Sequence, residues 1–407
     1  GLTRGGRFPV FEAYASGRIA RAYLAPQPDD AVPRFAYENH VRTLVEERRW
    51  PSSTTDISEL RLVIEYQRQN GADRKLTLDI VDYPGEWLTD LPMIEQDYRA
   101  FSTEALALAA SPSRTEFAKP FLDFLAGTDP AAAEDEQIAI TGAKLFTTYL
   151  RATRDSGAQS TLAPGRFLLP GELDGSPLLT FFPMPLTSDE RLPRGSLVAM
   201  MARRFESYKS LVVRPFFNDH FAKLDRQIVL VDVLTALHRG AEAVGDLERA
   251  MTNILRAFRP GANSWISMFL GRRIDRVLFA ATKADHLPAS SHDRLEGILK
   301  EIVDDAVLRA QTEGAGVNAL ALSALRATRE ATAKHGGETL PCLRGTPIKG
   351  ERIDKVTFDG LTEAAIFPGD LPADPAAALN EARHRASASL ELVRFAPPKL
   401  ANTLADG

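Results

Sequence analysis

The chain has 407 residues, with 49 Lys and Arg against 54 Asp and Glu for a formal net charge of -5, 44% hydrophobic residues, 7 His and 1 Cys. That length predicts two or three structural units with a sizeable core and excludes a small scaffold held by staples. Cys342 alone cannot make an internal disulfide, the dispersed basic residues argue against nucleic acid as the main partner, no apolar run approaches the roughly 20 residues of a membrane-spanning helix, and no leader opens the chain, so a reducing cytoplasm is expected.

The first predicted elements in chain order form an antiparallel hairpin. Arg61-Leu-Val-Ile-Glu-Tyr alternates and is rich in β-branched and aromatic residues, Lys75-Leu-Thr-Leu-Asp-Ile-Val comes next, and Asn70-Gly71 lies between them. From 94 to 224, helical periods over 97–110, 114–125, 137–156 and 196–209 are broken by Pro- and Gly-containing loops, which predicts a mostly helical insertion between two sheet strands. Gln227-Ile-Val-Leu-Val-Asp-Val, Arg276-Val-Leu-Phe-Ala-Ala-Thr and Val317-Asn-Ala-Leu-Ala-Leu-Ser are more continuously apolar, as strands buried on both faces are. Helical patterns at 240–258 and 291–312 separate them, the order a parallel α/β sheet requires. The tail from 336 carries many Pro and Gly, short extended pieces at Val356-Thr-Phe and Leu392-Val-Arg-Phe, and an Ala-rich patch at 376–378; it is expected to pack on the core and end in disorder over 397–407. The resulting boundaries are 1–93 and 225–335 for two parts of one core, 94–224 for the insertion and 336–407 for the extension.

Three short motifs close three of these strands. Asp82-Tyr-Pro-Gly85 succeeds an apolar strand, where Asp82 can hold Mg²⁺ through water and the Gly85 amide can approach a γ-phosphate; the plainer reading is a β-turn. Thr282-Lys283-Ala-Asp285 is more specific, because a carboxylate accepts two hydrogen bonds from the guanine edge while the Lys stem packs along the base. Its plainer reading is a surface Lys–Asp pair. Ser323-Ala324-Leu offers a small hydroxyl and a backbone amide to a guanine carbonyl, and is uninformative alone. Jointly, in this order at strand ends, the three spell the core of a Ras-like GTPase. Trp50-Pro-Ser-Ser-Thr54-Thr55-Asp lies just before the hairpin, where such a core places a Thr on Mg²⁺ and the γ-phosphate; the spacing does not choose between Thr54 and Thr55.

A phosphate loop of the form Gly-x-x-x-x-Gly-Lys-[Ser/Thr] is absent from the sequence. The nearest match, Gly1-Leu-Thr-Arg-Gly-Gly6-Arg7-Phe8, has Arg for Lys and Phe8 where a metal-binding hydroxyl belongs, and Pro9 onward to Tyr14 reads as extended or irregular. Three expectations stay open: a fragment lacking the first strand, loop and helix, an internal stretch missing after Arg4, or a degenerate relative. Triphosphate binding by this chain is expected to be weak.

The sequence strongly resembles the YcjX-like family of bacterial proteins. The resemblance rests on Trp50-Pro-Ser-Ser-Thr-Thr-Asp-Ile-Ser-Glu-Leu-Arg-Leu, Leu78-Asp-Ile-Val-Asp-Tyr-Pro-Gly-Glu-Trp-Leu-Thr-Asp-Leu-Pro, Glu95-Gln-Asp-Tyr, Arg214-Pro-Phe-Phe-Asn-Asp-His-Phe and Phe279-Ala-Ala-Thr-Lys-Ala-Asp-His, and it covers nearly all of the chain from Gly5. It implies an α/β P-loop NTPase fold of Ras-like type, a mixed sheet flanked by helices with a helical inserted domain. It also implies GTP or GDP with Mg²⁺ as ligands and an association with stress responses. In that family a phosphate loop and helix precede the counterpart of Gly5-Gly-Arg-Phe-Pro-Val-Phe.

Where many efficient GTPases carry a water-orienting Gln, this chain has Glu86, and a carboxylate near the γ-phosphate predicts slow turnover. An effector protein, unknown in identity, is expected to use the helical insertion. Two rival readings are a non-hydrolysing interaction scaffold with a vestigial nucleotide fold and an ATP-preferring P-loop NTPase, the latter disfavoured by Lys283 and Asp285. Asp219-His220 reads as a packed His rather than a base, and Trp265, Ile266, Met268 and Phe269 beside Arg272 and Arg273 as core rather than a membrane patch.

Overall fold

The computed structural model of the chain describes residues 12–156, 162–186, 193–257, 276–312, 316–335, 338–384 and 390–400. It is a mixed α/β protein with a parallel sheet and helices, and it divides into two compact units, Gly1–Pro84 with Phe395–Gly407, and Gly85–Arg394. Among the described residues no helix is long and apolar enough to cross a membrane. The nearest match to a phosphate loop, at 1–8, and the aromatic patch at 264–273 lie outside the described residues.

In the first unit, α1 (Glu12–Ala15) is a single helical turn where the sequence reads as extended or irregular through Tyr14. β1 (Ile19–Ala25), β2 (Ser58–Gln67) and β3 (Asp73–Asp82) form an antiparallel sheet in that spatial order, and α2 (Tyr37–Val45) lies between β1 and β2 in the chain. The predicted hairpin is present, with Leu62 opposite Leu78 and Gly71 in the turn at φ 79°, a backbone angle that costs glycine nothing. Period-two alternation sorts the faces. Leu60, Leu62 and Ile64 pair with Ile80, Leu78 and Leu76 on one face, while the other carries the Arg21–Glu65 and Arg61–Asp79 ion pairs at 2.6 and 2.5 Å. The Trp50 indole donates to the Phe395 carbonyl at 2.7 Å and Arg48 to that of Pro397 at 3.2 Å. Residues 397–400, expected to be disordered, are therefore at least partly tied down, while 401–407 lie outside the described residues.

The second unit opens with a 3₁₀ segment, Gly85–Ile94. Helices α3 (Tyr98–Ala109), α4 (Thr115–Ala126), α5 (Glu136–Asp155), α6 (Gly165–Leu168), α7 (Leu197–Tyr208) and α8 (Arg214–Asp219) come after it. Side-chain caps set the starts of three of them: Asp97 accepts from the Ala100 amide at 2.7 Å, Asp135 from that of Gln137 at 2.7 Å, and Ser196 from that of Ala199 at 3.3 Å. Their apolar stripes converge on buried rings of Phe101, Phe121, Phe146, Phe181, Phe205 and Tyr208. His220 is half-buried, with its ring 6.2 Å from that of Phe216, and no nucleophile motif accompanies it.

β4 (Arg226–Val231), β5 (Arg276–Ala281) and β6 (Gly316–Ala321) form the parallel sheet in the order β4-β5-β6, with Val229, Phe279 and Ala319 in register. α9 (Val233–Arg239), α10 (Ala241–Ala257) and α11 (His292–Thr312) alternate with them as the order of patterns requires. The expectation that all three strands are buried on both faces holds for β5 alone. β4 buries Gln227, Val229 and Val231 but leaves Ile228 and Leu230 61% and 66% exposed, because among the described residues it is an edge strand with one open face.

The tail holds more structure than its sequence predicts. β7 (Arg329–His335) pairs with β8 (Glu338–Gly345), β9 (Arg352–Ile353) pairs with β10 (Val356–Thr357), and β11 (Ala364–Ile366) adds to β8. The Ala-rich patch at 376–378 lies within helix α12 (Pro375–His384), whereas Leu392–Phe395 forms no strand. There the Arg394 amide bonds the Glu351 carboxylate at 2.9 Å instead of a neighbouring strand.

Candidate functional site

The loops after β5 and β6 meet at the C-terminal edge of the parallel sheet, where open α/β sheets hold ligands. The Thr282 amide donates to the Val231 carbonyl at 2.9 Å, Leu322 to Ala281 at 2.9 Å, and Ala284 to Leu322 at 3.2 Å. The ladder thus continues past the strand ends and sets Thr282–Asp285 against Ser323–Ala324. Lys283 sits at φ 61°, left-handed backbone that costs a side-chain-bearing residue about 1 kcal/mol and concentrates at functional sites. Its Nζ donates to Asp232 Oδ2 at 2.6 Å.

Asp232 has two roles in this group. It caps α9 through the Thr235 amide at 3.1 Å and accepts from the Thr235 hydroxyl at 2.8 Å. Burial pushes its carboxyl up, but the Lys283 charge and the bonds from Lys283 and Thr235 outweigh this and hold it below the usual carboxylate range. Asp285 is buried, its Oδ2 accepting from the Ala327 amide at 2.7 Å and its carbonyl accepting from the Thr328 hydroxyl. The Ser323 hydroxyl donates to the Leu325 carbonyl at 3.0 Å, and Ala324 is exposed.

A second group lies in the first unit. The Thr54 hydroxyl donates to Asp82 Oδ2 at 2.7 Å, while Thr55 is exposed. This pair supplies a hydroxyl and a carboxylate, hard oxygen donors suited to Mg²⁺, which typically takes one or two protein ligands and fills its remaining positions with phosphate oxygens and water. Among the described residues no group of three or more His, Cys, Asp or Glu is placed to hold a metal ion by itself. The base-side and metal-side groups fall in different compact units.

Gly85 opens the second unit; it is exposed, and a Cβ built on it would meet nothing within 4 Å. Glu86 is half-buried and fixed through its backbone: its carbonyl accepts from the Thr89 hydroxyl at 2.7 Å, and a Cβ on Gly165 would lie 1.9 Å from that oxygen. Only glycine fits there. Four residues on, the buried Asp90 carboxylate accepts from the Tyr208 hydroxyl at 2.5 Å, the Gly165 amide at 2.6 Å and the Arg166 amide at 3.3 Å. Burial pushes its pKa up to about 6 against the pull of these donors. Trp87 donates to the Leu169 carbonyl at 3.0 Å and stacks under the Arg166 guanidinium. The segment leaving Gly85 is thereby stitched to α6 and the residue after it, and to the end of α7.

Sequence reasoning did not single out Asp232, Thr235, Asp90, Tyr208 or Gly165. Asp232 had a readable signal, since it ends an apolar strand as Asp82 does. Asp90 and Tyr208 are 118 residues apart, and no local pattern joins them.

A family profile described as YcjX-like family, DUF463, matches residues 2–406. The chain is 34% identical over 382 residues to an Escherichia coli (strain K12) protein named Ras-like GTPase YcjX, covering 91% of this chain and 80% of that one. It is 32% identical over 407 aligned positions to a Shewanella oneidensis protein of the same name, covering 97% and 81%.

Proposed function

The chain belongs to the YcjX-like family, and from that premise we propose that this protein binds guanine nucleotides with Mg²⁺ on a Ras-like P-loop fold that carries a helical insertion. The carrying observation is the pairing of Thr282–Asp285 with Ser323–Ala324 through the Ala284-to-Leu322 bond at a parallel-sheet edge. In this reading Asp285 accepts from the guanine edge, the Lys283 stem lies along the base, and Thr282, Ser323 and Ala324 complete the rim. The names of both relatives support the same nucleotide class.

Thr54 or Thr55 with Asp82 would hold Mg²⁺, whose charge would offset that of the phosphates, and the Gly85 amide would face the γ-phosphate. Of the two threonines, Thr54 is the one hydrogen-bonded to Asp82. Glu86 in place of a water-orienting Gln supports slow hydrolysis, so the protein acts as a regulatory switch, stress-related by family resemblance and cytoplasmic, with the helices of 94–224 facing an effector. The rival scaffold reading predicts no nucleotide affinity, and the ATP reading predicts preference for adenine.

Calorimetric titration of GTP, GDP and ATP with Mg²⁺ tests this, in this chain and in one preceded by a strand, phosphate loop and helix of the family pattern. Guanine preference in either protein, moved from GTP toward XTP by Asp285→Asn, is expected. Absence of nucleotide binding in both would sink the proposal. Glu86→Gln is expected to change turnover at unchanged affinity.

A further inference from the structure

Within the second unit, a cleft of about 270 Å³ lies between the segment 89–96 and the walls of α3, α5 and α10. That volume is just under the roughly 300 to 1,000 Å³ typical of drug-sized pockets, and so suits a smaller molecule. Its lining includes Met93, Phe101, Leu108, Phe146, Leu150 and Ala250. These side chains come from elements far apart in sequence and make the lining largely apolar.

Of the charged groups lining the cleft, Glu95 is exposed to solvent, while Arg114, Arg249 and Glu104 already have protein partners. Arg114 is buried and donates to Asp246 Oδ2 at 3.2 Å, Arg249 donates to the other oxygen of Asp246, and Gln96 donates to Glu104 at 2.7 Å. A charged ligand entering here would have to compete with these pairs or leave its own charge poorly solvated, which is costly. An uncharged, mainly apolar ring compound has neither cost.

The roof of the cleft is the chain that leaves Gly85 and Glu86 and is pinned at Asp90. Leu91, Met93 and Ile94 are nearly fully buried in that roof. From volume, lining and charge pairing we propose that this cleft is a binding site for a small, uncharged, largely apolar ring molecule. The site is separate from the proposed nucleotide site and requires no bound nucleotide.

The test uses the full chain without nucleotide and three probes of one shape: 1-naphthol, 1-naphthoate and 1-naphthylmethylammonium. Saturation-transfer NMR is expected to show 1-naphthol bound, and the two ions at least about tenfold weaker. In the unmodified protein, intermolecular NOEs should run from 1-naphthol to the methyl groups of Met93, Leu108 and Leu150. Ala105→Trp, which fills the cleft from α3, should abolish binding while circular dichroism reports an unchanged fold. Absence of 1-naphthol binding overturns the proposal, as do NOEs confined to methyl groups elsewhere or equal binding of the ions. The NOE result stands alone should Ala105→Trp misfold, and none of these outcomes bears on guanine affinity.

Discussion

β3 and β5 end in the two most informative motifs of the chain, yet they are held in different ways. β5 runs between two parallel neighbours, with Phe279, Ala280 and Ala281 fully buried. β3 pairs on one side with β2 and leaves Leu76, Leu78 and Ile80 44%, 39% and 49% exposed. The Thr282–Asp285 loop is thus mounted on a stiff strand. After β3, the chain beyond Gly85 takes its order from contacts further along the sequence, the ties made by Trp87, Asp90 and Gly165. One motif is anchored by the strand before it and the other by the segment after it.

The largest expected effect breaks the β5 anchor. Phe279→Ala removes a fully buried ring and should cost about 3 to 5 kcal/mol, from lost transfer energy and the cavity left behind. Urea denaturation checks it, and a loss below about 1 kcal/mol would show that the sheet refills the space.

The second prediction concerns the other anchor and its pH dependence. The folded pKa of Asp90, about 6, lies above its ordinary 3.8, so between these values the native state keeps a proton that the unfolded chain has released. Stability from this group is fully present below the unfolded value and is lost as pH rises through the folded one, a change of about 3 kcal/mol. Asp90→Asn should remove that fall from the stability profile between about pH 4 and 7. It should also lower the plateau, since an amide nitrogen would replace one of the two oxygens that accept from Tyr208, Gly165 and Arg166. An unchanged pH slope in the variant would assign the titration elsewhere.

These two anchors also mark what the sequence makes legible. The hairpin of β2 and β3 is readable because a period of two and Asn70-Gly71 are local signals. β5 is readable because burial on both faces leaves an unbroken apolar run. The β7–β8 hairpin is not, because Pro341 interrupts β8 and argues against a strand. It is tolerated where β11, which pairs only with 343–345, offers no partner for the missing N–H. Of the residues around the candidate site, the motif positions show themselves by spacing. Asp232 is hidden in plain view at a strand end, and the Asp90 contacts exist only once α6 and α7 are folded onto the segment.

A smaller effect is expected at the mouth of the base-side group. The Lys283–Asp232 pair is 41% and 39% exposed, so its direct contribution to stability should stay below about 1 kcal/mol after screening by solvent and salt. Lys283→Gln should therefore shift the urea midpoint little while weakening guanine nucleotide affinity in titration. A large stability loss without any change in affinity would make Lys283 a structural residue of this edge and leave the base contact to Asp285.

The smallest effect belongs to the open face of β3. Leu78→Thr puts a β-branched residue into the strand and removes a side chain already 39% exposed, so its cost should fall within about 0.5 kcal/mol. Set beside Phe279→Ala, this pair of variants measures how differently the two strands are held. A Leu78→Thr loss above about 2 kcal/mol would be the energy of a covered side chain. It would mean that β3 is buried in solution as β5 is, and that both motifs stand on strands of equal stiffness.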